Sequence, residues 1–115
     1  MDDRKLLELA AKAAGIELQR SRLDDPMCKD FLLVRRAEDD NGVGWNPLDD
    51  DGDALRLAID LQIQFGIVLE DSRGWAESHA AYFEFQWDMH RQSERYEATR
   101  RAIVRAAAVI GKEMP

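Results

Sequence analysis

Residues 50–70, DDGDALRLAIDLQIQFGIVLE, decide the fold. In the first half Ala54, Leu57, Ala58 and Leu61 recur at helical spacing, which makes an apolar stripe along one side of a helix. Leu55 and Ile59 widen that stripe, so the helix is expected to pack on more than one side. Asp50 or Asp51 stands where an N-cap belongs, and Asp53 suits the positive end of the helix. The second half changes period. Ile63, Phe65, Ile67 and Leu69 alternate with other residues and share one face of a strand.

Moving towards the C-terminus, Asp71-Ser72-Arg73-Gly74 reads as a polar turn. A second alternating strand follows, with Ala81, Phe83, Phe85 and Trp87 on one face and Tyr82, Glu84 and Gln86 on the other. Two such strands joined by a short polar segment predict an antiparallel hairpin with one buried face. Trp75 falls outside the alternation, beside the turn. It is either an exposed interface anchor or folds back over the sheet edge. Residues 88–93 are a polar connection, and residues 94–112 form a long helix. Tyr96, Ile103, Ala106, Ala107 and Ile110 are expected to face inward, with Arg100, Arg101, Arg105 and Lys112 outward. Glu97 and Arg101 stand four apart in the favoured order for an ion pair.

Towards the N-terminus, residues 37–50 read as a loop with Asn41-Gly42 and Asn46-Pro47 as turn signals. Phe31–Arg36 is a β-type run, and Ile16–Gln19 is a short alternating segment ended by Asp24-Asp25-Pro26. Residues 3–14 form an amphipathic helix in which Leu6, Leu9, Ala10 and Ala13 share a face. Asp2 or Asp3 caps it, and Gly15 closes it. The expected fold is a single α+β domain over residues 1–115. A small antiparallel sheet of three to four strands packs with three helices in the order α-β-β-α-β-β-α, or α-β-α-β-β-α without the 16–20 strand.

Composition narrows the function classes. The chain has 115 residues, of which 45% are hydrophobic and 34% charged, with a net charge of −7. Such an acidic balance argues against direct nucleic-acid binding, which needs basic groups to displace counterions. It favours a partner with a basic surface. Residues 1–60 hold 15 acidic and 9 basic residues, and residues 61–115 hold 8 and 7, so nearly all the imbalance lies in the first half. Glu38, Asp39 and Asp40, with Asp49 and Asp50, are the candidate partner-binding acids, and Trp75 joins them as a candidate anchor. One cysteine, Cys28, rules out an internal disulfide and fits a reducing cytoplasm. No signal-type or membrane-spanning apolar run is present, so no membrane association is expected.

No catalytic or metal site is expected, and no cofactor. His79 and His90 lack zinc-type spacing with each other or with Cys28. A nucleophilic site on Cys28 with a histidine finds no supporting glycine pattern nearby. Asp49, Asp51 and Asp53 alternate as in a calcium loop. The required glycine, however, falls on Ala54 and the final glutamate on Asp60, so helix capping explains these acids. Neither phosphate-binding glycine motif occurs.

Trp45-Asn46-Pro47-Leu48, followed by residues 50–58, resembles a pattern in small proteins of tailed bacteriophages, the phage ABA-sandwich group related to NinX-like proteins. The C-terminal block 97–108 and the opening block 6–15 are similar to the same group. Physically the motif is a structural corner: Pro47 fixes its own φ and keeps Asn46 out of the helical region. Trp45 and Leu48 then drop onto the core. The resemblance implies an accessory protein without catalytic residues, working in the cytoplasm of an infected bacterium. The expected function is binding to a host or phage protein, with antagonism of host defence (an anti-CRISPR type inhibitor) as its sharpest form. The alternatives are a small-molecule or nucleotide-binding module near Trp45 using Arg100 or Arg101, and a structural phage protein. A homodimer through the aromatic hairpin is a further expectation.

Overall fold

Local capping sets the first element. In the computed structural model, residues 2–20, 32–36 and 39–115 are described, with side chains for 2–16 and 45–115. Helix α1 spans Asp3–Ala14. The Asp2 carboxylate accepts a hydrogen bond from the Lys5 N–H at 2.8 Å, satisfying one of the amides a helix start leaves open. Gly15 ends the helix at φ +70°, where the lack of a Cβ removes the usual penalty. The Ile16 N–H then reaches back to the Ala11 carbonyl at 2.9 Å.

Strands β1 (Glu17–Arg20), β2 (Leu32–Arg36) and β3 (Asp39–Trp45) form an antiparallel sheet in that order. The third strand corrects the expectation of a loop over 37–50. Its polar, glycine-rich sequence has low β propensity, but Val43, Gly44 and Trp45 pair in register with Val34, Leu33 and Leu32. Asn41-Gly42 makes no tight hairpin. The pairing steps from Val34↔Val43 to Arg36↔Asp39, so the turn-forming pair lies in a bulge.

Helix α2 (Asp51–Leu61) begins at Asp50, whose carboxylate accepts from the Asp53 N–H at 2.8 Å. It ends at Gln62 in the left-handed region, and the Ile63 N–H closes on the Ala58 carbonyl. The chain passes at once into β4 (Gln64–Val68), a 3₁₀ turn at Leu69–Asp71, then β5 (Arg73–Glu77) and β6 (Tyr82–Gln86). These strands form a second antiparallel sheet in the order β4-β5-β6. The expected two-stranded hairpin is thus three-stranded, and Trp75 lies in the central strand rather than in a turn. Strand β5 escapes a hydropathy reading because its buried residues are Gly74 and Ala76. Gly74 is small for a reason: a Cβ there would meet the Phe85 ring at 2.5 Å and the Gly66 carbonyl oxygen at 2.6 Å.

Helix α3 (Glu94–Glu113) is the spine. Ala102, Ile103, Val104, Ala106, Ala107 and Ala108 are all buried, between α1 and the β4-β5-β6 sheet. Asp3 meets Arg101, Leu9 meets Gly111 and Lys12 meets the Met114 carbonyl, so α1 and α3 run parallel. Gly111 lies so close to the Leu9 carbonyl that a Cβ would overlap it. Three side-chain expectations are corrected here. Tyr96 is exposed, because it lies before the buried stretch of α3. Arg100 is largely buried rather than outward, since its Nε donates to the Leu48 carbonyl at 2.8 Å and its Nη1 to Asp51 at 2.6 Å. Arg101 pairs with Asp3 across the helix seam at 2.9 and 3.3 Å instead of with Glu97. Among the described residues the architecture is α+β, with three α-helices and antiparallel sheet.

Candidate functional site

The corner at Trp45–Leu48 is a packed, internally bonded unit. Trp45 is 4% exposed, and Pro47 and Leu48 are buried with it. The Asn46 side-chain oxygen accepts from the Leu48 N–H at 3.1 Å, while its backbone carbonyl accepts from Asp49 and Asp50. Asp53, only 7% exposed, receives the Asn46 N–H at 3.0 Å and an Arg56 guanidinium hydrogen bond at 2.7 Å. A carboxylate this buried requires such partners. Trp45 lies inside the core, Arg100 is bonded to the Leu48 carbonyl and Asp51, and Arg101 is paired with Asp3.

The candidate acids divide. Asp49 and Asp50 lie at the α2 N-terminus, where Asp49 accepts from the Asn46 side chain and Asp50 caps the helix. Asp39 and Asp40 belong to β3 by backbone alone, and Glu38 and Cys28 lie outside the described residues. His79 and His90 are exposed on separate turns. Among the described residues no three His, Cys, Asp or Glu side chains gather where they could hold a metal ion, and no helix is long and apolar enough to cross a membrane.

Trp75 stands on a different surface. Alternation along β5 puts Gly74 and Ala76 under α3 and turns Arg73, Trp75 and Glu77 to the other side of the sheet. Cross-strand pairing sets Trp75 beside Gly66 on one side and Glu84 on the other. Gly66 is bare because the indole lies across it: a Cβ there would come within 2.8 and 2.9 Å of two ring carbons. Tyr82, Glu84 and Gln86 of β6 are exposed on this same side. Among the described residues no helix packs on it. A hollow of about 180 Å³ lies between Val68, Arg73, Gly74, Trp75, Tyr82 and Glu84. The Tyr82 hydroxyl donates to Glu84 at 3.0 Å. That bond to a carboxylate holds the phenol above its usual titration range.

A larger cleft, about 320 Å³, opens on the opposite side of the sheet between α2, β4 and α3. Leu55, Phe65, Ile67 and Tyr96 line it together with the charged Asp51, Arg95 and Arg100. The alternating row read as core is therefore half-covered: α3 spans β5 and β6 and leaves the β4 margin exposed. Leu55 and Ile59 likewise stay exposed rather than packing a second side of α2. Because this cleft and Trp75 occupy opposite faces of the sheet, the α2 acids and Trp75 do not form one site. Tyr82 and Glu84 were missed as site residues; the alternation of β6 already assigned them to the wetter face. Comparison with protein-family models, with curated proteins and with solved structures finds no match.

Proposed function

We propose that this protein acts by binding another protein, without catalysis, through the open face of the β4-β5-β6 sheet. The observation that carries this reading is Trp75, set in the central strand of a face that no helix covers among the described residues. Tryptophan and tyrosine dominate protein interfaces because each combines a large apolar area with a polar handle. Here Trp75 and Tyr82 supply that area, while Glu77 and Glu84 outnumber the one cation, Arg73, on the same face. Together with the net charge of −7, this acidic excess favours a partner with a basic surface. In the setting that the Trp45–Leu48 resemblance implies, that partner is a host or phage protein in the cytoplasm of an infected bacterium. Antagonism of a host-defence complex is the most specific form of the role.

The test is affinity purification of the tagged chain from infected cells, followed by binding measurements with the recovered partner. A stoichiometric partner is expected, and Trp75→Ala should weaken it by about 100-fold or more, as loss of an interface anchor does. Trp75→Ala should leave the circular dichroism spectrum unchanged. Absence of any stoichiometric partner, or one held equally well by Trp75→Ala, removes the proposal.

A further inference from the structure

Strand β4 offers a second surface, at its edge rather than on its face. An edge strand presents a row of unpaired backbone groups, and proteins guard such rows with charges, prolines or bulges. Strand β4, Gln64-Phe65-Gly66-Ile67-Val68, has no charge and no proline. Its register with β5 runs unbroken from Gln64↔Glu77 to Val68↔Arg73, so no bulge twists it away. Among the described residues nothing pairs with its outer side. The opposite edge strand, β6, carries Glu84 at its centre. Of this sheet's two edges, as far as the described residues show, β4 is the unguarded one.

We propose that β4 pairs antiparallel with β4 of a second copy of this chain, about a two-fold axis at Gly66. Antiparallel pairing about Gly66 sets Phe65 opposite the partner's Ile67 and Gln64 opposite the partner's Val68. Every facing pair is therefore compatible, and no like charges meet in spite of the net −7. At the axis glycine faces glycine. The indole of Trp75 already extends across Gly66, and a bare residue beyond it leaves the ring edge clear. Area points the same way. Leu55, Ile59, Phe65, Ile67 and Tyr96 are 41–66% exposed. They leave roughly 500 Å² per copy, so full burial on both copies would reach about 1,000 Å², the lower bound for a specific interface. The product is one six-stranded sheet whose two open faces join across the axis, with both Trp75 platforms on the same side. This inference does not depend on the identity of any other partner.

Sedimentation equilibrium of the full chain at micromolar concentration should show a dimer. Ile67→Lys places a charge at the edge and should raise the dissociation constant at least about tenfold. Because Ile67 is already half-exposed, the variant should unfold at the same urea midpoint when compared at high dilution. A register test uses a Cys28→Ser background: Phe65→Cys mixed with Ile67→Cys should cross-link faster than either variant alone. A monomer at every concentration, a dimer indifferent to Ile67→Lys, or cross-linking without that preference each overturns the pairing. A monomer that still binds a protein through Trp75 would end this inference and leave the proposed function standing. A dimer with no other partner would do the reverse.

Discussion

Where α1 meets α3, Gly111 lies directly against the Leu9 backbone with no side chain between them, and the small residues Ala10, Ala11, Ala106 and Ala107 are all buried. Along β4, Phe65 and Ile67 offer large apolar side chains that the described chain leaves half-exposed. Hydropathy ranks these two regions the wrong way round. The residues that look weakly apolar are fully buried, and the residues that look like core lie at the margin. Burial follows from where α3 lies, not from the size of each side chain. Gly111 lets α3 approach α1 closely, and on its other side α3 packs on β5 and β6 rather than on β4.

The largest test of the contrast is Gly111→Leu. Its side chain has only the Leu9 backbone to displace, so unfolding free energy in urea should fall by about 4 kcal/mol. A tolerated leucine would mean the seam is loose and the comparison is broken. Next comes a pair on one helix. Leu57→Ala should cost about 3 kcal/mol, because Leu57 is among the largest fully buried side chains. Leu55→Ala, measured at dilution where the chain is monomeric, should cost under about 1 kcal/mol. Equal costs would show that both sides of α2 are core after all. Asp53→Ala should lower stability by about 2 kcal/mol, since the Asn46 N–H and Arg56 lose a buried acceptor.

The smallest effect belongs to Asp3. The Arg101 guanidinium hydrogen-bonded to it holds its carboxyl below the ordinary carboxylate range. A lowered folded value means the contribution is complete above the unfolded value of about 3.9 and is lost as pH falls through the folded one. Both side chains are well exposed, so Asp3→Asn should cost no more than about 1 kcal/mol at neutral pH, and less at high salt. Thermal melts at pH 7 and at strongly acidic pH should differ less for Asp3→Asn than for the parent.

The helices were legible in the sequence because their signals are local. Asp2 and Asp50 cap where helix starts require them, Gly15 closes α1, and α2 and α3 carry regular apolar spacing. Strands β3 and β5 were not legible. Backbone pairing to a neighbour holds β3, and Gly74 and Ala76 fill the buried positions of β5, so neither shows the alternation that marks a strand. The open face was half-legible. Tyr82 and Glu84 followed from β6, but Trp75 reached the centre of that face only once β5 was recognised as the middle strand. The arginines of α3 were misread for a related reason: their partners, Asp51 and Asp3, are far away in sequence.

The parallel seam also sets the order in which the molecule can be made. Residue 3 closes on residue 101, and residue 9 on residue 111, so the most closely packed pair of helices joins segments synthesised far apart in time. At about 5–20 residues per second, α1 waits on the order of 5–20 s for its neighbour. During that interval Leu6, Leu7, Ala10 and Ala11 lack the α3 side of their packing. Contacts of such long sequence separation also slow refolding of the finished chain. The α1–α3 seam thus closes only after nearly the whole described chain has been made.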